Sequence, residues 1–176
     1  MAGAAEQAIA QWASYFAEVS LGISNKTTGD LLGACLFALG MAISRTAYGF
    51  LGDKMNLKLA IAFCAALLTG AYLLASLSPI PYLSLAGIAL SGLFVGIMWP
   101  GIYSLAGKSF PVGGTKMFGM LALAGDFGCT IGPSLQGIIT SDIKTGLLFS
   151  TIYPLILFIG IMILCIPRKK EQRELR

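Results

Sequence analysis

The sequence has no histidine and few charged residues: 11% are charged, against 56% that are hydrophobic. Soluble domains carry about 25% charged residues, so this chain has too little charge to cover a water-facing surface. The lack of histidine removes the commonest metal ligand and the usual proton carrier at neutral pH. No nucleophile–base pair, phosphate loop or nucleic-acid motif is visible. We therefore expect neither an enzyme nor a nucleic-acid-binding protein, and no metal or cofactor.

The cysteines are also few and scattered. Cys35, Cys64, Cys129 and Cys165 each stand alone within an apolar stretch, and no CxxC pair occurs. This spacing points to neither a zinc site nor a disulfide framework. We expect these four side chains to pack as small hydrophobic groups.

What the chain does have is long apolar segments. A helix needs roughly 20 apolar residues to cross the hydrocarbon core of a membrane. Six segments approach that length, at about 5–23, 30–51, 57–77, 82–106, 116–139 and 145–166. The sequence therefore predicts an all-α polytopic membrane protein, with six transmembrane helices in a domain over residues 1–167 and a basic tail at 168–176.

Positive charge is distributed unevenly between the connectors of these segments. Ten basic residues fall towards one side, namely Arg45, Lys54, Lys58, Lys108, Lys116 and the five of the tail, and only Lys26 and Lys144 towards the other. Short loops rich in Lys and Arg stay in the cytoplasm. We predict a multi-pass protein of the cytoplasmic (inner) membrane with both termini cytoplasmic, its tail resting on the lipid surface.

The first segment carries a polar stripe. At about 100° per residue, Gln7, Gln11, Ser14 and Glu18 fall within about 60° of one another, and Tyr15 borders them. Such a stripe must face another helix or a wet cavity. Two interpretations stay open: an interfacial helix or a hydrogen-bonded seam between helices, and a solute pathway lined by amide, hydroxyl and carboxylate groups.

Two aromatic residues share a face of the fourth segment. Trp99 and Tyr103 are four residues apart, and Pro100-Gly101 between them can kink the helix and free backbone carbonyl groups. The Trp99 ring could stack on a sugar, or it could simply pack around the kink.

The fifth segment places a carboxylate within a stripe of small residues. A charged side chain at the bilayer centre costs about 2.5–3.5 kcal/mol, so Asp126 needs a partner, a proton or water. It could make a structural hydrogen bond or serve a functional site. Gly125, Gly128 and Gly132 lie on a nearby stripe, followed by Pro133, and we expect them to allow close packing between helices.

A motif lies between the second and third segments. Gly49-x-x-x-Asp53-Lys54-x-x-x-Lys58 resembles the loop motif that the major facilitator superfamily repeats in each half, with Asn56 where glycine is frequent and Lys54 where arginine is frequent. Asp53 could also cap a helix N-terminus. The pattern around Gly128, Gly132 and Pro133 is similar to the fifth helix of such a half.

The resemblance covers the whole chain and implies the C-terminal six-helix half of a secondary transporter. The stretch Tyr15–Gly22 is similar to fucose-permease-type sugar symporters. The implied function is transport of a small hydrophilic organic solute, with a sugar as one candidate, coupled to protons. The implied pathway contains Gln7, Gln11, Tyr15, Glu18, Trp99, Tyr103 and Asp126, and the implied cytoplasmic gate contains Arg45, Gly49, Asp53, Lys54 and Lys58.

The partners implied are the lipid bilayer, the solute, protons and a second six-helix unit. That unit could be the N-terminal half of the same transporter, or a second copy of this chain in a channel or carrier. A third alternative is a membrane scaffold that transports nothing, since fold alone does not establish function.

Overall fold

The computed structural model describes residues 1–22, 26–139 and 141–165, and their regular secondary structure is helical, without strands. The predicted basic tail, 168–176, lies outside these residues. The elements in chain order are α1 (Ala2–Ala10), α2 (Ala13–Leu21), α3 (Lys26–Asp30), a π-helical turn (Leu31–Cys35), α4 (Leu36–Leu51), a 3-10 turn (Gly52–Lys54), α5 (Leu57–Leu77), α6 (Pro81–Val95), α7 (Met98–Ser109), α8 (Gly114–Ile139), α9 (Ile143–Ser150) and α10 (Ile152–Cys165).

Within the described residues, four stretches are long and apolar enough to cross a membrane: Lys26–Lys54, Leu57–Leu77, Pro81–Ser109 and Ile143–Cys165. The predicted segment 57–77 forms one helix with those same bounds. The helices that contain the predicted segments 5–23 and 116–139 are not among the four. The first is divided in two, and the second carries Lys116, Asp126 and Gln136 along its length.

Three of the predicted segments are divided by local turns, and the sixth has its turn at Thr151, between α9 and α10. The first has a break at Gln11 and Trp12, between α1 and α2, and the fourth has one at Gly96 and Ile97, between α6 and α7. The break at Gly96 lies upstream of the predicted kink at Pro100. Because it starts a new helix at Met98, Pro100 falls in the first turn of α7, where a missing N–H leaves no helical hydrogen bond unmade.

Small residues bring the helices of the bundle close together. A Cβ on Gly92 of α6 would stand 2.1 Å from the Phe37 carbonyl oxygen, and one on Gly40 of α4 would stand 2.7 Å from the Ala89 carbonyl oxygen. On the other face of α6, Gly87 touches the backbone of α5 at Ala75. Such contacts let backbones approach where burial of apolar side chains supplies little driving force between helices in lipid.

Side chains just before α5 and α9 cap the free backbone N–H groups at the starts of these helices. Asn56 caps α5 by accepting a hydrogen bond from the Leu59 N–H at 3.4 Å, the role that the sequence offered to Asp53. Asp142 caps α9 by accepting from the Thr145 N–H at 2.9 Å, and its hydrogen bonds with Thr145 hold the pKa of its carboxyl group below the usual range. Lys144 donates to the Ser78 carbonyl oxygen at 2.8 Å, which ties α9 to the turn after α5.

Candidate functional site

The site is built on the contact between α1 and α8, two helices of lower hydropathy. The small residues of α8 allow this contact: a Cβ on Gly132 would stand 2.9 Å from Ala4 Cα, and one on Gly128 would stand 3.1 Å from the Ala4 backbone nitrogen. A Cβ on Gly3 of α1 would stand closer still, 2.5 Å from the Gly125 carbonyl oxygen and 2.7 Å from Cys129 Sγ. The pair of helices therefore places the polar residues of α1 beside α8.

An ion pair lies at this contact. The carboxylate Oε1 of Glu6 in α1 is 3.5 Å from Nη2 of Arg45 in α4. The Glu6 side chain is 11% exposed and that of Arg45 is 46% exposed. The second carboxylate oxygen, Glu6 Oε2, is fully buried and has no hydrogen-bond partner among the described residues. A buried acceptor without a partner is costly and is expected only where something else compensates it.

An open cavity of about 510 Å³ adjoins the ion pair, lined by Glu6, Gln7, Arg45, Trp99, Pro100 and Cys129. The Trp99 indole N–H lies near the Glu6 carboxyl group. The cavity thus offers a carboxylate, an amide, a guanidinium and an aromatic ring. That set can hydrogen-bond and stack on a polar organic molecule.

Aromatic rings extend from this cavity across α7 and α8. The centroids of Trp99 and Tyr103 are 5.9 Å apart with the rings tilted by 32°, and those of Tyr103 and Phe118 are 5.9 Å apart with the planes at 6°. Rings at this separation stabilise one another beyond the area that they bury. Trp99 and Tyr103 were predicted from the sequence, whereas Phe118 lies on a different helix and was missed.

The predicted polar stripe of the first segment does not line a single cavity. Gln7 reaches the cavity of Glu6, and Gln11 is exposed at the turn between α1 and α2. Tyr15 is 6.3 Å from Trp12, edge to face, and lines a separate cavity of about 190 Å³. Glu18 packs against α3, where a Cβ on Gly29 would stand 2.4 Å from Glu18 Cγ.

Asp126 is exposed on α8 and does not line the Glu6 cavity. Two hydroxyl groups continue that face: Thr130 donates to the Asp126 carbonyl oxygen at 3.0 Å, and Ser134 donates to the Thr130 carbonyl oxygen at 2.7 Å. A polar row is thus left uncovered on one face of α8.

The residues predicted for the gate are divided between two places. Arg45 pairs with Glu6, while Asp53 and Lys54 lie in the exposed 3-10 turn. Lys58 donates to the Leu164 carbonyl oxygen of α10 at 3.3 Å. Nothing lies within 4 Å of the position where Gly49 would carry a Cβ.

A hydrogen bond joins α4 and α7, two of the helices that line the cavity. The Tyr48 hydroxyl donates to Ser104 Oγ at 2.8 Å and lies 3.5 Å from the Pro100 carbonyl oxygen. Tyr48 is three residues after Arg45 and therefore on the same side of α4. This bond holds the helix that bears Arg45 against the helix that bears Trp99.

Comparison with known proteins gives one family. The model of the Major Facilitator Superfamily matches residues 1–176. No curated protein and no solved structure matches the chain. Within the described residues, no cluster of three or more His, Cys, Asp or Glu side chains could hold a metal ion.

Proposed function

Because this chain belongs to the major facilitator superfamily of membrane transporters, we propose that it forms the C-terminal six-helix half of a secondary transporter. The solute is a small hydrophilic organic molecule, with a sugar as one candidate, and its movement is coupled to protons. The observation that carries this proposal is the cavity of Glu6, Gln7, Arg45 and Trp99, where the ion pair of a buried carboxylate and a half-exposed guanidinium borders open space between helices. Ionisable side chains within membrane segments are expensive and typically mark pathways for solutes and ions.

Six spans follow if α1–α2 and α8 cross the membrane in addition to the four apolar stretches. These two segments pack against each other, and they carry Glu6, Gln7 and Asp126. Less apolar helices are stable in a bilayer when their polar faces meet protein or water instead of lipid. Their lower hydropathy therefore supports a place along the pathway. An even number of spans puts both termini on the basic, cytoplasmic side.

The wall opposite this site would come from a second six-helix unit. The uncovered row of Asp126, Thr130 and Ser134 on α8 supports such a partner, because lipid cannot satisfy a carboxylate. We assign this place to the N-terminal half of the same transporter. Asp53 and Lys54, exposed in their turn, would face that half as the cytoplasmic gate with Gly49 and Lys58. A second copy of this chain is the alternative, and crosslinking in membranes distinguishes the two.

The test is transport by the longest reading frame that contains this sequence, reconstituted in proteoliposomes with an inward proton gradient. A panel of radiolabelled sugars, polyols and organic acids is assayed with Gln7→Leu and with Tyr82→Phe as the control. Tyr82 is 76% exposed and lies outside the cavity. We expect Gln7→Leu to lower uptake about tenfold, equivalent to about 1.4 kcal/mol, and Tyr82→Phe to leave it unchanged. The absence of uptake for every solute in the panel would overturn the proposed function.

Glu18→Gln tests, in the same assay, whether the pathway includes Glu18 as the sequence predicts. If Glu18 packs only against α3, uptake and its dependence on the proton gradient stay as in the unaltered protein. If Glu18 lines the pathway, one or both change. The result therefore shows whether the pathway extends beyond α1 to Glu18.

A further inference from the structure

We infer that the cavity takes an organic anion: a carboxylate-bearing solute binds Arg45 while Glu6 takes up a proton. This inference rests on the proposed function and narrows its solute class to carboxylated polyhydroxy compounds, such as sugar acids. It also names Glu6 and Arg45 as the pair that links the solute to the proton, whereas the sequence predicted no role for Glu6 and placed Arg45 in the cytoplasmic gate.

Arg45 has unused capacity for an anion. Its contact with Glu6 Oε1 is 3.5 Å, longer than the 2.7–2.9 Å typical of a charge-assisted hydrogen bond. A guanidinium has five N–H donors in a planar fork that matches a carboxylate. Nearly half of the Arg45 side chain is exposed, and it lines the cavity with Gln7 and Trp99. A carboxylate in this space would therefore meet free donors.

Glu6 makes the binding of that anion depend on a proton. The ionised pair is neutral as a unit, with the carboxylate buried and the guanidinium facing the cavity. If a solute carboxylate binds Arg45 in place of Glu6, an ionised Glu6 loses its counter-ion in a region of low dielectric constant. That loss is strongly unfavourable. Protonation of Glu6 removes that charge. One proton and one monovalent anion enter together, so the net charge of the site is the same before and after binding.

The remainder of the cavity favours a hydroxylated solute over a purely aliphatic acid. Gln7 offers an amide group with both donors and an acceptor, and Trp99 offers an indole ring. Aromatic rings of this kind provide a flat apolar surface beside polar contacts. A neutral sugar could use Gln7 and Trp99, but it would leave the charge of Arg45 unused and would not require a proton on Glu6.

Few other titratable groups face Glu6. Apart from Arg45, the Cys129 thiol of α8 is the titratable group that shares the cavity within the described residues. The titratable groups on the other helices near α1 have partners elsewhere or are exposed. Lys144 of α9 donates to Ser78, and two tyrosine hydroxyls donate to backbone carbonyl oxygens, Tyr153 to Gly132 and Tyr72 to Ala5. Tyr103 of α7 stacks on Phe118, and Asp126 of α8 is exposed. The Met1 amino group lies near enough to influence Cys129.

The binding test uses this chain in lipid nanodiscs with its N-terminus acetylated and Trp12→Phe, so that Trp99 is the one tryptophan left. D-Glucuronate, D-gluconate and L-lactate are titrated against D-glucose and D-glucitol between about pH 5 and about pH 8. We expect Trp99 fluorescence to report binding of a sugar acid at least tenfold tighter than binding of either neutral compound. The apparent Kd should rise by up to tenfold for each unit of increase in pH, because one proton binds with each anion.

Two variants assign the proton and the charge. Glu6→Gln should bind the sugar acid with an affinity that no longer changes with pH, and Arg45→Gln should lose the preference for the acid. If Glu6→Gln does not fold, the double variant with Arg45→Gln replaces the pair by two neutral side chains of similar size. Lys108→Gln, at the exposed end of α7 and outside the cavity, is the matched charge control and should behave as the unaltered chain. Unchanged pH dependence in Glu6→Gln would overturn the inference.

Transport separates this inference from the function on which it rests. In proteoliposomes of the longest reading frame, uptake of a sugar acid with a proton should generate no membrane potential, measured with a potential-sensitive dye. Uptake of neutral sugars alone would overturn the inference and leave the transport function standing. If no solute is taken up while the chain still binds sugar acids through Arg45, the transport function fails and the assigned binding site does not.

Discussion

Gly125 of α8 lies directly against the indole ring of Trp99, so close that a Cβ at position 125 would stand 2.1 Å from Trp99 Cη2. Gly125 therefore has a second role besides close packing of the helices. It makes the space in which the ring can lie between the Glu6 cavity and Tyr103. The position of the ring depends on the absence of a side chain one helix away.

Gly125→Ala should displace Trp99 and destabilise the chain. Overpacking of this kind typically costs about 1–3 kcal/mol. Gly119→Ala is the matched control, because it lies on the same helix with nothing within 4 Å of the added methyl group. Trp99 emission in a Trp12→Phe background and unfolding in detergent measure the two effects. The same emission spectrum and stability in both alanine variants would contradict this account of Gly125.

The sequence predicted helices well where hydropathy alone determines them. Residues 57–77 form a largely apolar run between a capping Asn56 and the turn at Ser78, and the helix has those bounds. The break at Gly96 leaves no mark in hydropathy, because the residues around it are as apolar as those of an intact span. The break at Gln11 lies within a polar stripe that an unbroken helix would also display. The π-helical turn at Leu31–Cys35 also leaves no mark in the hydropathy of the sequence. Such local changes depend on what each turn packs against.

The ion pair was missed for a different reason. Helical spacing placed Gln7, Gln11, Ser14 and Glu18 on one face, and Glu6 is about 100° away from Gln7 around the helix. Its partner is 39 positions further along the chain and had been assigned to the loop motif. One signal was present: Arg45 lies inside a predicted span and needs a counter-ion at depth. Only the fold decides which of the carboxylates in the spans supplies it.

Whether α8 crosses the membrane can be tested at its two ends. Val112, 98% exposed, lies just before the helix, and Ser141 is exposed just after it. In a chain whose four native cysteines are replaced, Val112→Cys and Ser141→Cys should react with a membrane-impermeant maleimide from opposite sides. We expect Ser141→Cys to react in intact cells and Val112→Cys only after permeabilisation, following the positive charges.

Labelling of both cysteines from one side would show that α8 does not span, and it would contradict the six-helix proposal. Labelling from opposite sides with the reverse orientation would keep the spans and contradict the cytoplasmic assignment of the termini. The result therefore tests the count and the orientation separately.

Two glycines, one exposed on α5 and one at the contact between α4 and α6, should respond in opposite ways to alanine substitution. Alanine is more favourable than glycine in a helix by about 0.8–1.0 kcal/mol, so Gly70→Ala, with nothing within 4 Å of its added methyl group, should slightly stabilise α5. Gly92→Ala would place its Cβ 2.1 Å from the Phe37 carbonyl oxygen and force the helices apart. We expect that variant to be destabilised by at least about 1 kcal/mol in detergent unfolding. Equal shifts in the two variants would show that close packing at Gly92 is unimportant.

Tyr72 should stabilise the chain and position Glu6. Its hydroxyl is buried and donates to the carbonyl oxygen of Ala5, the residue before Glu6, at 2.6 Å. Tyr72→Phe removes the donor and leaves the ring, which should cost about 0.5–1.5 kcal/mol of unfolding free energy. Tyr82→Phe, at an exposed position, should cost nothing measurable.

If α1 also shifts relative to Arg45, binding of the sugar acid weakens in Tyr72→Phe while its pH dependence persists, since the carboxyl group that takes the proton is still there. A loss of stability without any change in binding would restrict Tyr72 to the core and show that Glu6 is held in place by its contacts with α8 and Arg45.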